Sequence, residues 1–262
     1  MDYLGLLEPW SKISLRAFSG EREKAWLALL LAWVAGYADA FGFLVLDNIF
    51  TSHISGNSVA AAAFLGQQQW NEAAVHAFPI LFFVVGFFIG AILETGASRL
   101  RIRRRFSIGL SLEAALLLAF LIVGKHTFEA KSPPDVAAEQ FYSLVALLAG
   151  AMGVQSASLR HVGGHSVNTP YVTGMLAQSV EHAVVLLFNG YDRLRRRPPD
   201  ADRVARDNFN GMIFHGALWL LFAIGAVCGG VGEQIGRYQL MVVPPTALIF
   251  IILCDLVRPV HG

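Results

Sequence analysis

The chain has 262 residues, 55% of them hydrophobic and 15% charged, with a mean hydropathy of +0.53. That is too little charged surface for a soluble domain of this length, and several apolar runs approach the ~20 residues that cross a bilayer. A net charge of +1 gives no basis for a nucleic-acid partner. Two cysteines, Cys228 and Cys254, both lie in apolar runs and suggest neither a disulfide framework nor a metal site.

Residues 1–24 mix Leu4, Leu6, Leu7, Trp10, Ile13, Leu15 and Phe18 with charges. They read as a cytoplasmic N-terminal segment, either an interfacial helix or a tail. Acids are mixed in and no cleavage-type site follows, so a signal peptide is not expected. Residues 25–257 read as a single membrane domain made of two repeats, 25–123 and 140–257.

The first span is expected over 25–46, with Asp39 its only charge. Residues 54–65 (ISGNSVAAAAFL) are apolar but short; as helix they would rise about 18 Å, well under the hydrocarbon thickness. A full uncharged span follows at 73–93. The segment 99–105 carries five arginines, and 106–123 is a span containing Glu113. Residues 124–139 form a polar link with Pro133-Pro134.

The second half opens with an uncharged span, 140–159. Gly163-Gly164 and Pro170 break the chain before 171–188, an apolar run interrupted by Gln178, Glu181 and His182. The segment 193–206 carries six arginines. Spans at 208–232 and 238–254 close the domain, with Pro244-Pro245 expected to kink the last or set its first turn.

The halves resemble each other. Gly36 to Ala40 lines up with Gly153 to Ala157, Ser55-Gly56-Asn57 with Thr173-Gly174-Met175, and Ile89-Gly90-Ala91 with Ile224-Gly225-Ala226. Both arginine segments should be cytoplasmic, so an even number of crossings lies between them. Three apolar segments lie there, and 171–188 is the one expected not to cross. The expected fold is an all-α polytopic membrane protein with six full transmembrane helices and two half-helices or re-entrant segments. The repeat is inverted, and both termini are cytoplasmic. Seven or eight plain spans are the alternative.

An acid inside a span is expensive and marks a functional hypothesis. Asp39 reads either as a proton or cation site, or as an anchor that caps the broken backbone of a neighbouring half-helix. Ser55, Gly56 and Asn57 in the first half, with Gln155, Ser156, Thr173 and Gly174 in the second, are the further candidates for a solute or ion pathway. Glycine permits close approach, hydroxyls cap free N–H groups, and a helix start favours polar groups. The secondary candidates are His53, Glu113, His165, Glu181 and His182; the histidines with Glu181 would make a proton relay. His76 and His215 read as neutral imidazoles bonded to a neighbouring helix, and Glu233 and Asp255 as interfacial. No GxSxG, HExxH, CxxC pair, P-loop or dinucleotide fingerprint occurs, so no enzyme, metal or cofactor is expected.

The motif Gly36-Tyr37-Ala38-Asp39-Ala40, followed by Phe50-Thr51-Ser52-His53-Ile54-Ser55-Gly56-Asn57, resembles the opening signature of the YoaK-like family of bacterial membrane proteins, also called domain of unknown function 1275. Met152-Gly153-Val154-Gln155-Ser156-Ala157 and Thr169 to Gly174 resemble its second signature. The likeness runs from about Ala25 to Val257. Ser55 stands where threonine is usual, and Ser156 where asparagine is. The resemblance implies a multi-pass protein of the bacterial inner membrane and no established activity. The expected function therefore rests on the residues: a small-solute transporter or channel-like permease whose partners are the lipid bilayer and a solute or ion. A homo-oligomer is left open. The alternative is a non-transporting scaffold or lipid-interacting protein.

Overall fold

A computed structural model describes residues 19–102, 104–130, 138–158, 161–162, 165–166, 172–195 and 201–257. The expected interfacial segment up to residue 18, Pro133-Pro134, Gly163-Gly164 and Pro170 lie outside the described residues.

The described chain is helical: α1 Ser19–Val45, α2 Ile54–Gly66, α3 Trp70–Arg99, α4 Arg105–Ala130, α5 Ala138–Ser158, α6 Val172–Arg195, α7 Ala201–Gly236 and α8 Val243–Val257. Between α5 and α6 a minimal antiparallel ladder pairs β1 (His161–Val162) with β2 (His165–Ser166). A 3-10 turn, Arg237–Val242, leads into α8, whose first turn holds Pro244 and Pro245. Proline is tolerated there because first-turn N–H groups have no intrahelical acceptor. Among the described residues six helical segments are long and apolar enough to cross a membrane: Lys24–Val45, Trp70–Arg99, Phe106–Thr127, Glu139–Ser158, Ala201–Gly236 and Tyr238–Leu256.

Two helix pairs pack backbone against backbone. On the parallel pair α1/α7, a Cβ at Gly36 would overlap the carbonyl of Phe222, one at Gly225 that of Trp33, and one at Gly229 that of Tyr37. On the parallel pair α3/α5, Gly86 meets Gly150 in the same way, Gly153 meets Phe83, and Gly90 meets Val154. Lipid offers little hydrophobic drive between helices, so such close van der Waals packing carries the association.

The remaining contacts fix the directions. α1 and α5 are antiparallel: Gln155 Nε2 donates to the Leu31 carbonyl at 2.6 Å, and Gly42 faces Leu148. α4 runs antiparallel to α5, with Gly109 against Ser158 and Leu116 against Gly150. It also runs antiparallel to α8 and the 3-10 turn that leads into it: Ser107 Oγ donates to Asp255, and Gly124 faces Tyr238 in that turn. The starts of α1, α4 and α7 and the ends of α3, α5 and α8 therefore share one end of the bundle. The described residues of both arginine-rich segments lie at that end. The rings of Phe41, Phe120 and Tyr238 meet in the core, with centroids 5.7 to 6.5 Å apart.

Helix α6 departs from the expected half-helix in length. It has 24 residues and pairs with α7 in antiparallel fashion, Ser179 Oγ donating to the Met212 carbonyl at 3.0 Å and Asn189 Nδ2 to the Ala201 carbonyl at 2.9 Å. Its start reaches only the middle of α7, and its second half runs beside the polar opening of that helix. The sequence boundary followed the loss of apolar residues. The helix continues because nothing between Phe188 and Arg195 breaks it, and the first prolines are Pro198 and Pro199. α7 itself has 36 residues, about 54 Å, and so outruns a ~30 Å hydrocarbon layer.

Asp255, near the end of α8, is buried at 4% exposure and accepts a hydrogen bond from Ser107 on α4. Of the cysteines, Cys228 is half-buried and Cys254 lies on the outer face of α8.

Candidate functional site

Helix α1 stops where Asp47 and Asn48 take left-handed backbone angles, φ 53° and 61°. These are the residue types that enter that region at least cost after glycine. Asn48 N donates to the Phe43 carbonyl and Ile49 N to the Leu46 carbonyl, closing a tight reversal. The chain then descends beside the helix it has just left. It brings residues 51–53 down to Asp39, about 9 Å along the axis from Val45.

Asp39 receives that loop. Its Oδ1 accepts Thr51 N at 3.0 Å, Ser52 N at 2.8 Å and Thr51 Oγ1 at 3.1 Å. Its Oδ2 meets Nδ1 of His53. The carboxylate is 4% exposed, and Thr51 and Ser52 are buried with it. Without the carboxylate, two buried backbone donors would stand unpaired at the mouth of α2, at a cost of about 1–3 kcal/mol each. His53 is the open edge of the site, its side chain 31% exposed. Its ring packs on Phe50 and on Phe222 of α7, centroids 5.5 and 5.7 Å away. The hydrogen bond to Asp39 holds the His53 imidazole above its usual range, against the opposing pull of burial.

Helix α2 starts immediately after His53, at the level of Asp39, and has 13 residues. Ser55 is exposed at its start, and Gly56 lies against the Phe50 ring. Asn57 is 1% exposed; its Nδ2 donates to the Phe50 carbonyl at 2.6 Å, and its Oδ1 has no hydrogen-bond partner among the described residues.

The candidates of the second half do not join this cluster. Gln155 bridges to Leu31, about 12 Å along α1 from Asp39. Ser156, aligned with Asp39 in sequence, is buried and bonds to its own helix at the Met152 carbonyl. Thr173 is exposed and Gly174 half-buried at the start of α6. Glu181 is exposed; His182 contacts Asn208 at 2.9 Å and stacks on His215. His182 packs on Gly211 and His53 on Phe222, levels about 16 Å apart along α7, so the expected histidine relay is not assembled. His165 lies in β2, and its side chain is outside the described residues. Glu113 is fully buried on α4, and Asp39 is not among the hydrogen-bond partners of its carboxyl group. His215 contacts its own helix at the Gly211 carbonyl and stacks on His182 of α6, and His76 stacks on Phe64 of α2. Among the described residues no cluster of three metal-ligating side chains occurs.

Sequence reasoning missed Thr51 and Ser52 as the donors to Asp39, and placed the cap one turn too late, at Ser55 to Asn57. The available signal was Asp47-Asn48, a pair suited to left-handed turns, followed after Ile49-Phe50 by two hydroxyl residues.

Residues 27–254 match the family described as "Protein of unknown function (DUF1275)". The chain is also similar to the UPF0700 transmembrane protein YoaK of Bacillus subtilis (strain 168), 25% identical over 228 residues that make up 86% of this chain and 90% of that protein. No solved structure matches it. The matched region takes in four of the candidate spans whole and all but the outer ends of the first and last, with the Asp39 loop and both glycine-packed pairs, and the chain is a multi-pass membrane protein belonging to the DUF1275 family.

Proposed function

We propose that the protein is a small-solute permease of the bacterial inner membrane, built as an inverted repeat around two helices that start in mid-bundle. The observation that carries this is the start of α2. A short helix begins at the level of Asp39, beside polar groups and the half-open His53. Irregular backbone at such depth is tolerated where it is buried in protein or lines a water-filled cavity. Broken helices at a repeat interface are a transporter design.

The repeat is supported by exchanged contacts. Gly36 on Phe222 is answered by Gly153 on Phe83, Gly225 on Trp33 by Gly86 on Gly150, and Gly229 on Tyr37 by Gly90 on Val154. One constant offset carries α1 positions onto α5 and a second carries α3 positions onto α7. In this pairing Gly90 answers Gly229, one helical turn from Gly225, where sequence alignment set it. The corresponding helices α1 and α5 run antiparallel, as an inverted repeat requires. Positive-inside topology then puts the shared arginine end, with the start of α1 and the end of α8, in the cytoplasm.

In this reading Asp39 is the gate post: it holds the start of α2 in place, and the exposed Ser55 faces what passes, with Gly56 and the buried Asn57 packed behind it. A scaffold without transport is the competing reading, favoured by the 4% exposure and full bonding of the Asp39 carboxylate. Osmotic swelling of proteoliposomes decides between them. Small polar solutes should enter wild-type vesicles at least tenfold faster than empty liposomes, and Asn57→Leu should remove the difference. Rates equal to empty liposomes across neutral and charged solutes would establish the scaffold.

A further inference from the structure

The buried acids are treated very differently by the fold. Asp39 is bonded on both oxygens, and Asp255 takes a hydroxyl from Ser107. Glu113 is 0% exposed, and neither of its carboxyl oxygens has a hydrogen-bond partner among the described residues. It interrupts an otherwise apolar stripe on α4, in which Phe106, Leu110, Leu117 and Phe120 are all buried. That stripe faces the junction of α4 with α5 and α8.

The helix registers give its level. Gly109 opposite Ser158 and Leu116 opposite Gly150 put Glu113 beside Gly153 and Val154 on α5, next to Gln155. Ser107 opposite Asp255 and Gly124 opposite Tyr238 put it at the level of Ile249 on α8. Gln155 in turn is bonded to Leu31 of α1. Glu113 thus lies about 10 Å along α4 from Phe106, in from the arginine end and offset from Asp39. The charged and titratable groups of the surrounding elements lie elsewhere. Asp255 is about 9 Å towards the arginine end along α4 and Tyr238 about 16 Å the other way. On α1, Asp39 is engaged by His53. On α3, Glu94 and His76 are half-buried at opposite ends of the helix.

A carboxylate sealed in such a place without a partner costs several kcal/mol, so a fixed negative charge is not a stable occupant. A neutral acid that releases its proton when water or a cation enters is. Replacing the group by leucine would cost the fold nothing in hydrogen bonds, so no contact among the described residues explains an acid there. We propose that Glu113 is the proton-exchange site of the membrane domain, leaving Asp39 to hold α2. The proposal deepens the permease reading by assigning protons to the arginine-side half of the pathway, and it rests on that reading only for what the proton drives.

The test is infrared spectroscopy of the whole protein in lipid bilayers, which needs no substrate. At neutral pH the wild type should show the carbonyl stretch of a protonated carboxyl. Glu113→Gln should lose that band and Asp39→Asn should keep it. On transfer to D2O the band should shift within minutes, which a sealed structural acid would not do; Glu113→Asp should restore an exchanging band. A wild type without the band at neutral pH, or a band that stays unshifted in D2O for hours, overturns the proposal. Failure of solute swelling alone would overturn the permease reading and leave this result standing.

Discussion

The carboxylate of Asp39 meets the imidazole of His53 across a reversal of the chain, the two residues lying fourteen positions apart. One oxygen is given to the ring and the other to the backbone of Thr51 and Ser52. A single side chain on α1 thereby sets where the next helix begins.

Removing that side chain should be severe. Asp39→Ala leaves the Thr51 and Ser52 N–H groups buried and unpaired beside an orphaned imidazole. Each backbone donor left buried and unpaired costs about 1–3 kcal/mol. Detergent-solubilised Asp39→Ala should melt well below wild type, whereas Asp39→Asn, which keeps an acceptor for the backbone donors, should lose less. Equal melting of Asp39→Ala and wild type would show that the loop holds itself.

The pH dependence has a definite sign. His53 is held above its usual range in the folded protein, so the folded state binds this proton more tightly than the unfolded one. That stability is complete below the ordinary imidazole pKa of about 6.5 and is lost as pH rises through the higher folded value. The melting temperature of wild type should fall on going from mildly acidic to mildly alkaline buffer. His53→Gln should flatten that part of the profile, the difference between the two proteins being greatest at the acidic end.

Glycine positions divide sharply. A Cβ at Gly36 or Gly153 would overlap the backbone of the facing helix, while Gly66, Gly96 and Gly190 have nothing within 4 Å. Gly36→Leu and Gly153→Leu should each reduce folded yield in the membrane severely and to a similar degree, because they hold equivalent places in the two parallel pairs. Gly66→Ala and Gly190→Ala should leave yield unchanged, measured by size-exclusion chromatography of solubilised membranes.

Sidedness follows from the shared arginine end. Single cysteines at Arg101 and Arg203, in a background lacking Cys228 and Cys254, should react with an impermeant maleimide only after the cytoplasmic face is opened. A cysteine at Gln67 should react in intact cells. Arg101 and Arg203 on opposite sides would refute the arrangement.

The spans were readable because apolar length in a bilayer is a strong signal: the segment expected at 73–93 lies inside α3, and 106–123 inside α4. Their ends were less so. α3 runs to Arg99 and α6 to Arg195, since helices continue through charged residues at the interface and stop at turns or prolines. Asp39 was legible as an oddity, because an acid in an apolar run stands out. Its partners were not, since Thr51, Ser52 and His53 reach it only through the left-handed turn at Asp47 and Asn48. The distance between His53 and His182 could not be read from residue types, because both precede or join small polar clusters and only the packing on α7 separates them.

The most direct test of the permease reading is water access to Ser55, the exposed first-turn residue of α2. In the cysteine-free background, Ser55→Cys should be modified by a small charged thiol reagent added from the side opposite the arginine segments, at a rate within tenfold of Gln67→Cys. A Ser55→Cys protein that resists the charged reagent but reacts with a lipid-soluble one would place the start of α2 in a dry or lipid-facing setting and contradict the pathway.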